Sequence, residues 1–171
     1  MAEKLKIYTY PDSVLKSKAE PIVNIDDGLQ CLIDDMLETM YTAPGIGLAA
    51  NQVGKLKQLI VYDVNHDKER KPSVLINPEI VMAEGEIVYE EACLSVIDYS
   101  AEVTRSSRIK VVGVDRHGDP VDIEAEGLLA ICLQHEIDHL HGVLFIDHLS
   151  GLKRSLYKKK LKKILKNKTD A

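Results

Sequence analysis

The chain has 171 residues, is 45% hydrophobic and 29% charged, and carries a formal net charge of −5. That supports one good core and one domain over residues 1–171, and the acidic balance argues against wrapping nucleic acid with the whole molecule. Three cysteines without close spacing argue against a disulfide framework. The opening Met1-Ala2-Glu3-Lys4-Leu5-Lys6 lacks a signal peptide's apolar run and no segment is long enough to cross a bilayer, so a cytoplasmic chain with no membrane partner is expected.

Leu5 to Tyr10 reads as an opening strand and Pro11 to Ala19 as a short helix. Asp26 to Tyr41 places Leu29, Leu32, Ile33, Met36, Leu37 and Met40 at spacings of three and four, an amphipathic helix that closes before Pro44-Gly45. Cys31 on that stripe and Cys132 further on read as buried small hydrophobes. Gly45-Ile46-Gly47-Leu48-Ala49-Ala50-Asn51-Gln52 is a glycine-rich loop with neither dinucleotide nor phosphate-loop spacing, although two glycines let backbone approach a ligand closely. Gln58 to Val64, Val74 to Ile76 and Ile87 to Tyr89 have strand composition, interrupted by Asn77-Pro78 and Gly85. Arg108 to Asp115 and Val121 to Glu126 flank a hairpin turn at Arg116-His117-Gly118-Asp119.

Gly127 then releases the chain into a helix with Leu128, Ile131, Cys132 and Leu140 toward the interior, ending at His141-Gly142. Ser150 is suited to cap a last helix from Gly151 to about Lys168, where Leu152, Leu156, Leu161, Ile164 and Leu165 form an apolar side. Lys153 to Lys168 holds nine of the 22 basic residues and no acid, leaving 13 basic against 26 acidic residues elsewhere once Asp170 is set aside. This tail is a solvated face or a contact for an acidic partner. The order of elements indicates an α+β domain, with short antiparallel sheets packed around a central helix and a C-terminal helix at about 151–168.

The chemistry concentrates in His135-Glu136-Ile137-Asp138-His139. Imidazoles four apart on a helix share a face about 6 Å apart, which suits two bonds to one metal ion. The carboxylate of Glu136 between them can take a proton from a water activated by such an ion. In a chain with this much His and Glu the pattern arises by chance roughly one to two times in a hundred, and two solvated histidines would also satisfy it. Cys93, in the acidic stretch Glu90-Glu91-Ala92-Cys93-Leu94-Ser95, has no obvious packing role. As a thiolate it would complete a three-ligand site with a fourth position open to water, the arrangement of a catalytic metal. Gln52 brings a neutral amide able to donate to a developing oxyanion. A zinc peptidase would share the histidine helix, but usually draws its third ligand from downstream.

Three motifs together, Gly45 to Gln52, Glu91-Ala92-Cys93-Leu94-Ser95 and Gln134-His135-Glu136-Ile137-Asp138-His139, resemble those of the peptide deformylase family in order and interval, and the similarity runs over nearly the whole chain. The resemblance implies one divalent metal on Cys93, His135 and His139, ferrous iron in the cell and zinc, nickel or cobalt in purified protein. It implies that Glu136 shuttles the proton and that Gln52 with the Leu94 N–H holds the oxyanion. The implied reaction removes the formyl group from the N-terminal methionine of nascent polypeptides. By similarity Ile46, Leu128, Ile131 and Cys132 line a methionine slot with Tyr89, at a position more often aliphatic, and the Ile46 and Gly47 backbones pair with the peptide as an added strand. Docking near the ribosomal exit tunnel through the basic helix is a further implication.

Ala92 stands where the family usually has glycine, Ile97 where proline is common and Ser100 where arginine is frequent. These departures bear on peptide preference and loop conformation and leave the ligand set intact. Asp138 and Arg105 are suited to pair behind the metal helix, a solvated Asp138 being the alternative, and His66, His117 and His148 read as surface or turn residues. His141, rotated about 200° from His139, should face away.

Overall fold

The computed structural model describes residues 1–170. Asp26 caps the first helix, α1 (Asp27–Thr42), by accepting the Leu29 N–H at 2.9 Å. Its buried face is Leu29, Ile33, Met36 and Met40. Cys31 lies about 200° around the helix from Leu29 and is exposed, so it is not the core residue expected. Strands β1 (Gly47–Ala49), β2 (Leu59–Tyr62), β3 (Ser73–Glu84), β6 (Arg108–Val114) and β7 (Pro120–Glu126) form one antiparallel sheet in the order β1-β2-β3-β6-β7. Strands β4 (Ile87–Cys93) and β5 (Val96–Arg105) form a separate hairpin.

The sheet is covered on both faces, which explains why β2 is buried throughout. Leu59 and Val61 point toward α1, in a cluster with Ile33, Met36 and Leu48. Ile60 and Tyr62 point the other way, toward helix α2 (Gly127–Leu140), whose Ala130, Leu133, Ile137 and Leu140 pack on Leu75, Ile109 and Val111. Alternation with period two across a sheet flanked by helices is thus the origin of the three-layer core. A third cluster, containing Leu15, Val96, Val103, Phe145 and Tyr157, joins the β4–β5 hairpin to the last helix, α3 (Gly151–Thr169). Ser150 caps α3 by accepting the Lys153 N–H. Among the described residues no helix is long and apolar enough to cross a membrane.

Several elements depart from expectation for identifiable reasons. Leu5 to Tyr10 is not a strand, because its N–H groups go to separate places: Tyr8 donates to the Gln52 carbonyl and Tyr10 to that of Ser95. Within Pro11 to Ala19 only Ser13–Lys16 coils, as a single 3-10 turn, since Ala19 and Glu20 donate to the carbonyls of Leu140 and Leu56. Strand β3 continues through Asn77-Pro78: Asn77 takes a left-handed φ of 52° at a bulge while its side chain bonds both backbone groups of Ile22. β4 extends past Tyr89 to Cys93, and β5 was not anticipated at all. On α3 the buried positions are Tyr157 and Leu161, whereas Leu152, Leu156 and Leu165 are exposed.

Candidate metal centre and active-site groove

α2 carries His135, Glu136 and His139 on the face turned toward the end of β4. Helical spacing stacks the two imidazoles, with ring centroids 5.1 Å apart and edge to face. Cys93 arrives from the opposite side. Between Ala92, paired with Ser100, and Cys93, paired with Val96, the β4–β5 register jumps, leaving Ile97, Asp98 and Tyr99 as an unpaired bulge in β5. Such a bulge re-aims the neighbouring side chain, and here Cys93 Sγ lies 3.4 Å from His139 Nε2. The ligand atoms of Cys93, His135 and His139 lie within 4.8 Å of one another, and the 3.4 Å between Cys93 Sγ and His139 Nε2 matches the ~3.5 Å separation of two ligands on one tetrahedral ion.

The surroundings prepare each ligand for a cation. His135 Nδ1–H donates to Glu91 Oε1 at 2.8 Å, which fixes the ring and leaves Nε2 as its ligand atom. Burial pushes His139 well below the usual imidazole range, so it is neutral and able to ligate. The Ser95 N–H at 3.4 Å and Gln52 Nε2 at 3.6 Å both donate toward the Cys93 sulfur and hold it in place beside the imidazoles. One soft sulfur and two imidazoles suit a divalent transition metal. Buried Glu136 Oε2 has no hydrogen-bond partner among the described residues, a polar atom aimed where a bound ion, water or substrate would satisfy it.

Glu91 was missed by sequence reasoning, although the period of two that puts it on the same face of β4 as Cys93 was available as a signal. It is only 3% exposed and also accepts two bonds from Arg105, at 2.8 and 2.9 Å. Burial would raise its pKa, but the Arg105 and His135 bonds outweigh that and hold it below the ordinary carboxylate value. Arg105 also donates to Asp138 at 2.6 Å, the expected pair, and His148, at the surface as expected, bonds the same Asp138 oxygen at 2.8 Å. A chain of contacts thus runs from His135 through Glu91 and Arg105 to Asp138. His141 is exposed and takes no part.

A cavity of about 370 Å³ opens beside the three ligands. Ile46, Gly47, Tyr89, Leu128, Ile131 and Cys132 all line it, together with Gln52, Leu94, His135 and Glu136. Its walls are mainly apolar. Leu128 is 37% exposed and sits at the mouth instead of the interior. Gln52 is oriented by accepting the Ala49 N–H on Oε1 at 3.0 Å, so its NH₂ points to Ser95 Oγ and into the site. Ser95 is a second residue that sequence reasoning did not single out. Glu136 is 5% exposed, and burial pushes its carboxyl up to about 7, within reach of both protonation states near neutrality. Ala92 does not take a left-handed φ, so its methyl group entails no backbone strain.

Residues 4–155 match the family model described as polypeptide deformylase. The chain is 55% identical to the peptide deformylase of Syntrophobacter fumaroxidans, over 96% of this chain and 98% of the relative. It is 56% identical to that of Thermodesulfovibrio yellowstonii, over 92% and 96% respectively. Among solved structures it is similar to a peptide deformylase from Legionella pneumophila, with a TM-score of 0.92, 46% identity and coverage of 98% of this chain and 99% of that one. A peptide deformylase from Ehrlichia chaffeensis in complex with actinonin matches with a TM-score of 0.89 and 41% identity over 94% and 97%. With a Cys-His-His metal site on a chain so closely matched throughout, this protein belongs to the peptide deformylase family, the metal-dependent amidohydrolases that remove N-formyl groups.

Proposed function

We propose that the chain acts as a single domain over residues 1–171, deformylating formylmethionyl nascent peptides in the cytoplasm, with Cys93, His135 and His139 as metal ligands and Glu136 as the proton carrier. The observation that carries the assignment is the convergence of one sulfur and two imidazoles at the end of an apolar cavity, with a buried unpartnered carboxylate oxygen beside them. We propose ferrous iron as the ion in the cell, with zinc, nickel or cobalt able to replace it in purified protein. When bound, the divalent ion supplies Lewis acidity that lowers the pKa of water and polarises the formyl carbonyl.

The remaining steps belong to the chain's own side chains. Glu136, held against Gly47 in a water-poor site, accepts a proton from the attacking water as its oxygen bonds to the formyl carbon. The carbonyl electron pair moves onto oxygen, and the Gln52 NH₂ and the Leu94 N–H donate to that charge. Glu136 then returns the proton to the departing nitrogen as the C–N bond breaks, releasing formate and a free α-amino group. Ile46, Leu128, Ile131, Cys132 and Tyr89 offer an apolar slot for the methionine side chain, and the Ile46 and Gly47 backbones edge the groove where an extended peptide would add as a strand.

Glu136→Gln tests the central step: it should retain metal yet lose formate release by several orders of magnitude. Near-normal turnover would refute the proton-carrying role, and cleavage of internal peptide bonds without formate release would refute the substrate assignment. The basic α3, with its lysines exposed, is proposed to dock on the ribosome near the exit tunnel. Salt-sensitive ribosome binding that survives Lys159→Glu, Lys163→Glu and Lys166→Glu together would remove that proposal.

A further inference from the structure

The bulge that aims Cys93 is held from outside its own hairpin. Of its three residues, Ile97 accepts the Tyr157 hydroxyl at 3.3 Å, Asp98 accepts Lys160 Nζ at 2.6 Å, and Tyr99 stacks on Tyr157 with ring centroids 4.6 Å apart at 29°. Asp98 is in the left-handed region at φ 50°, uncommon outside glycine and adopted by aspartate more readily than by most residues. Tyr157 is 1% exposed and, with Leu161, supplies the only buried positions of α3 among the described residues. The rings continue inward: Tyr99 stacks against Phe145 at 6.2 Å, and Phe145 against the ligand His135 at 6.2 Å. Cys93 itself packs against this cluster.

We propose that Tyr157 and Tyr99 are positioning residues for the metal centre, with α3 serving as the clamp that holds the Ile97–Tyr99 bulge and through it the direction of the Cys93 thiolate. The two imidazoles need no such support, because α2 fixes their spacing. Cys93 lies where strand pairing breaks, so its orientation depends on how the three extra residues are folded back. The tyrosine ring stack covers them, and the two carbonyl contacts fix the plane of their backbone. A pull on α3 is accordingly transmitted to one ligand of three.

This inference rests on Cys93 being a metal ligand, and its test separates the two ideas. Full-length enzyme loaded with cobalt should show a thiolate-to-cobalt charge-transfer band; its absence from wild type would defeat the site assignment itself. With the band present, Tyr157→Ala should shift it, raise the rate of cobalt release to a chromophoric chelator about tenfold and lower kcat about tenfold, within the range for supporting residues of metal sites, with KM changed less than about twofold. Tyr157→Phe keeps the ring stack but loses the hydroxyl bond to the Ile97 carbonyl, so it should fall between wild type and Tyr157→Ala in each readout. Ile33→Val thins the separate core cluster between α1 and the sheet, which contains no residue of α3, so it should lower stability and leave the band in place. If Tyr157→Ala does not fold, Tyr99→Leu decides in the same way from the other side of the stack. A wild-type band and release rate in the folded Tyr157→Ala or Tyr99→Leu variant, or an equal shift in Ile33→Val, would overturn the proposal.

Discussion

Gly47→Ala should cripple the enzyme without touching a metal ligand. A methyl group at Gly47 would sit 2.8 Å from Glu136 Oε1, 2.9 Å from Glu136 Cγ and 2.9 Å from Cys132 Sγ, against ordinary contacts of 3.4 Å and beyond. Gly47 does not take a left-handed φ, so alanine is barred by space and not by backbone conformation. Two Glu136 atoms are struck at once, and the carboxylate must therefore retreat by about half an ångström, with buried Cys132 hindering an easy escape. Displacing a reacting group on this scale costs roughly 10- to 100-fold in rate, and the added methyl should cost about 1–3 kcal/mol of stability through overpacking. Formate release gives kcat/KM, and metal analysis should still find about one ion per chain because Cys93, His135 and His139 are not among the atoms struck. A folded, metal-replete Gly47→Ala enzyme with kcat/KM within about threefold of wild type would refute the view that this contact fixes the proton carrier.

Glu91→Gln should weaken metal binding about 10- to 100-fold, measured by competition with a chelator, because His135 loses its anionic partner. It should also change how stability depends on pH. The native Glu91 carboxyl titrates below its ordinary 4.5, so the folded state binds fewer protons there than the unfolded one; the stabilisation is complete above about pH 4.5 and is lost as pH falls through the lower native value. Thermal unfolding from pH 6 to 3 should therefore show a shallower loss in Glu91→Gln than in wild type, and parallel curves would contradict the assignment. Gln52→Leu should lower kcat about 10²- to 10³-fold, the loss typical of one oxyanion donor, with little effect on metal content. A fall in KM-linked binding alone, with kcat intact, would show that the amide serves substrate affinity instead.

What the sequence revealed and concealed divides along the physics of the two kinds of scaffold. The α2 site was legible because 3.6-residue periodicity converts a spacing of four directly into neighbouring imidazoles, and Cys93 stood out because nothing local explained it. The β4–β5 hairpin was hard to read. β5 does carry a period-two pattern, exposed Asp98, Ser100, Glu102 and Thr104 alternating with Ile97, Tyr99, Ala101 and Val103, but nothing in it marks the register jump beside Cys93. Glu91 was indistinguishable from exposed Glu90 by composition, since its burial depends on Arg105 reaching back from the far end of β5. The apolar side of α3 misled for a related reason: only a partner in space selects Tyr157 and Leu161 over Leu152 and Leu156, and helical period alone cannot name that partner.

The centre therefore has two halves with different tolerances. On α2 the imidazoles and Glu136 are set by continuous backbone hydrogen bonding, and the polar chain through Glu91 and Arg105 locks the His135 ring. On the hairpin side the thiolate and the Leu94 N–H come from a turn at a register jump, a place without ladder bonds of its own to hold it. Rigidity there has to be imported, from Gln52 and Ser95 on one side and from the aromatic stack on the other. This division fits the expectation that the departures at Ala92, Ile97 and Ser100 bear on loop conformation and leave the ligand set intact. A segment held by side-chain contacts can exchange one set of supports for another, whereas a helix can alter neither its spacing nor its ligands without losing the site.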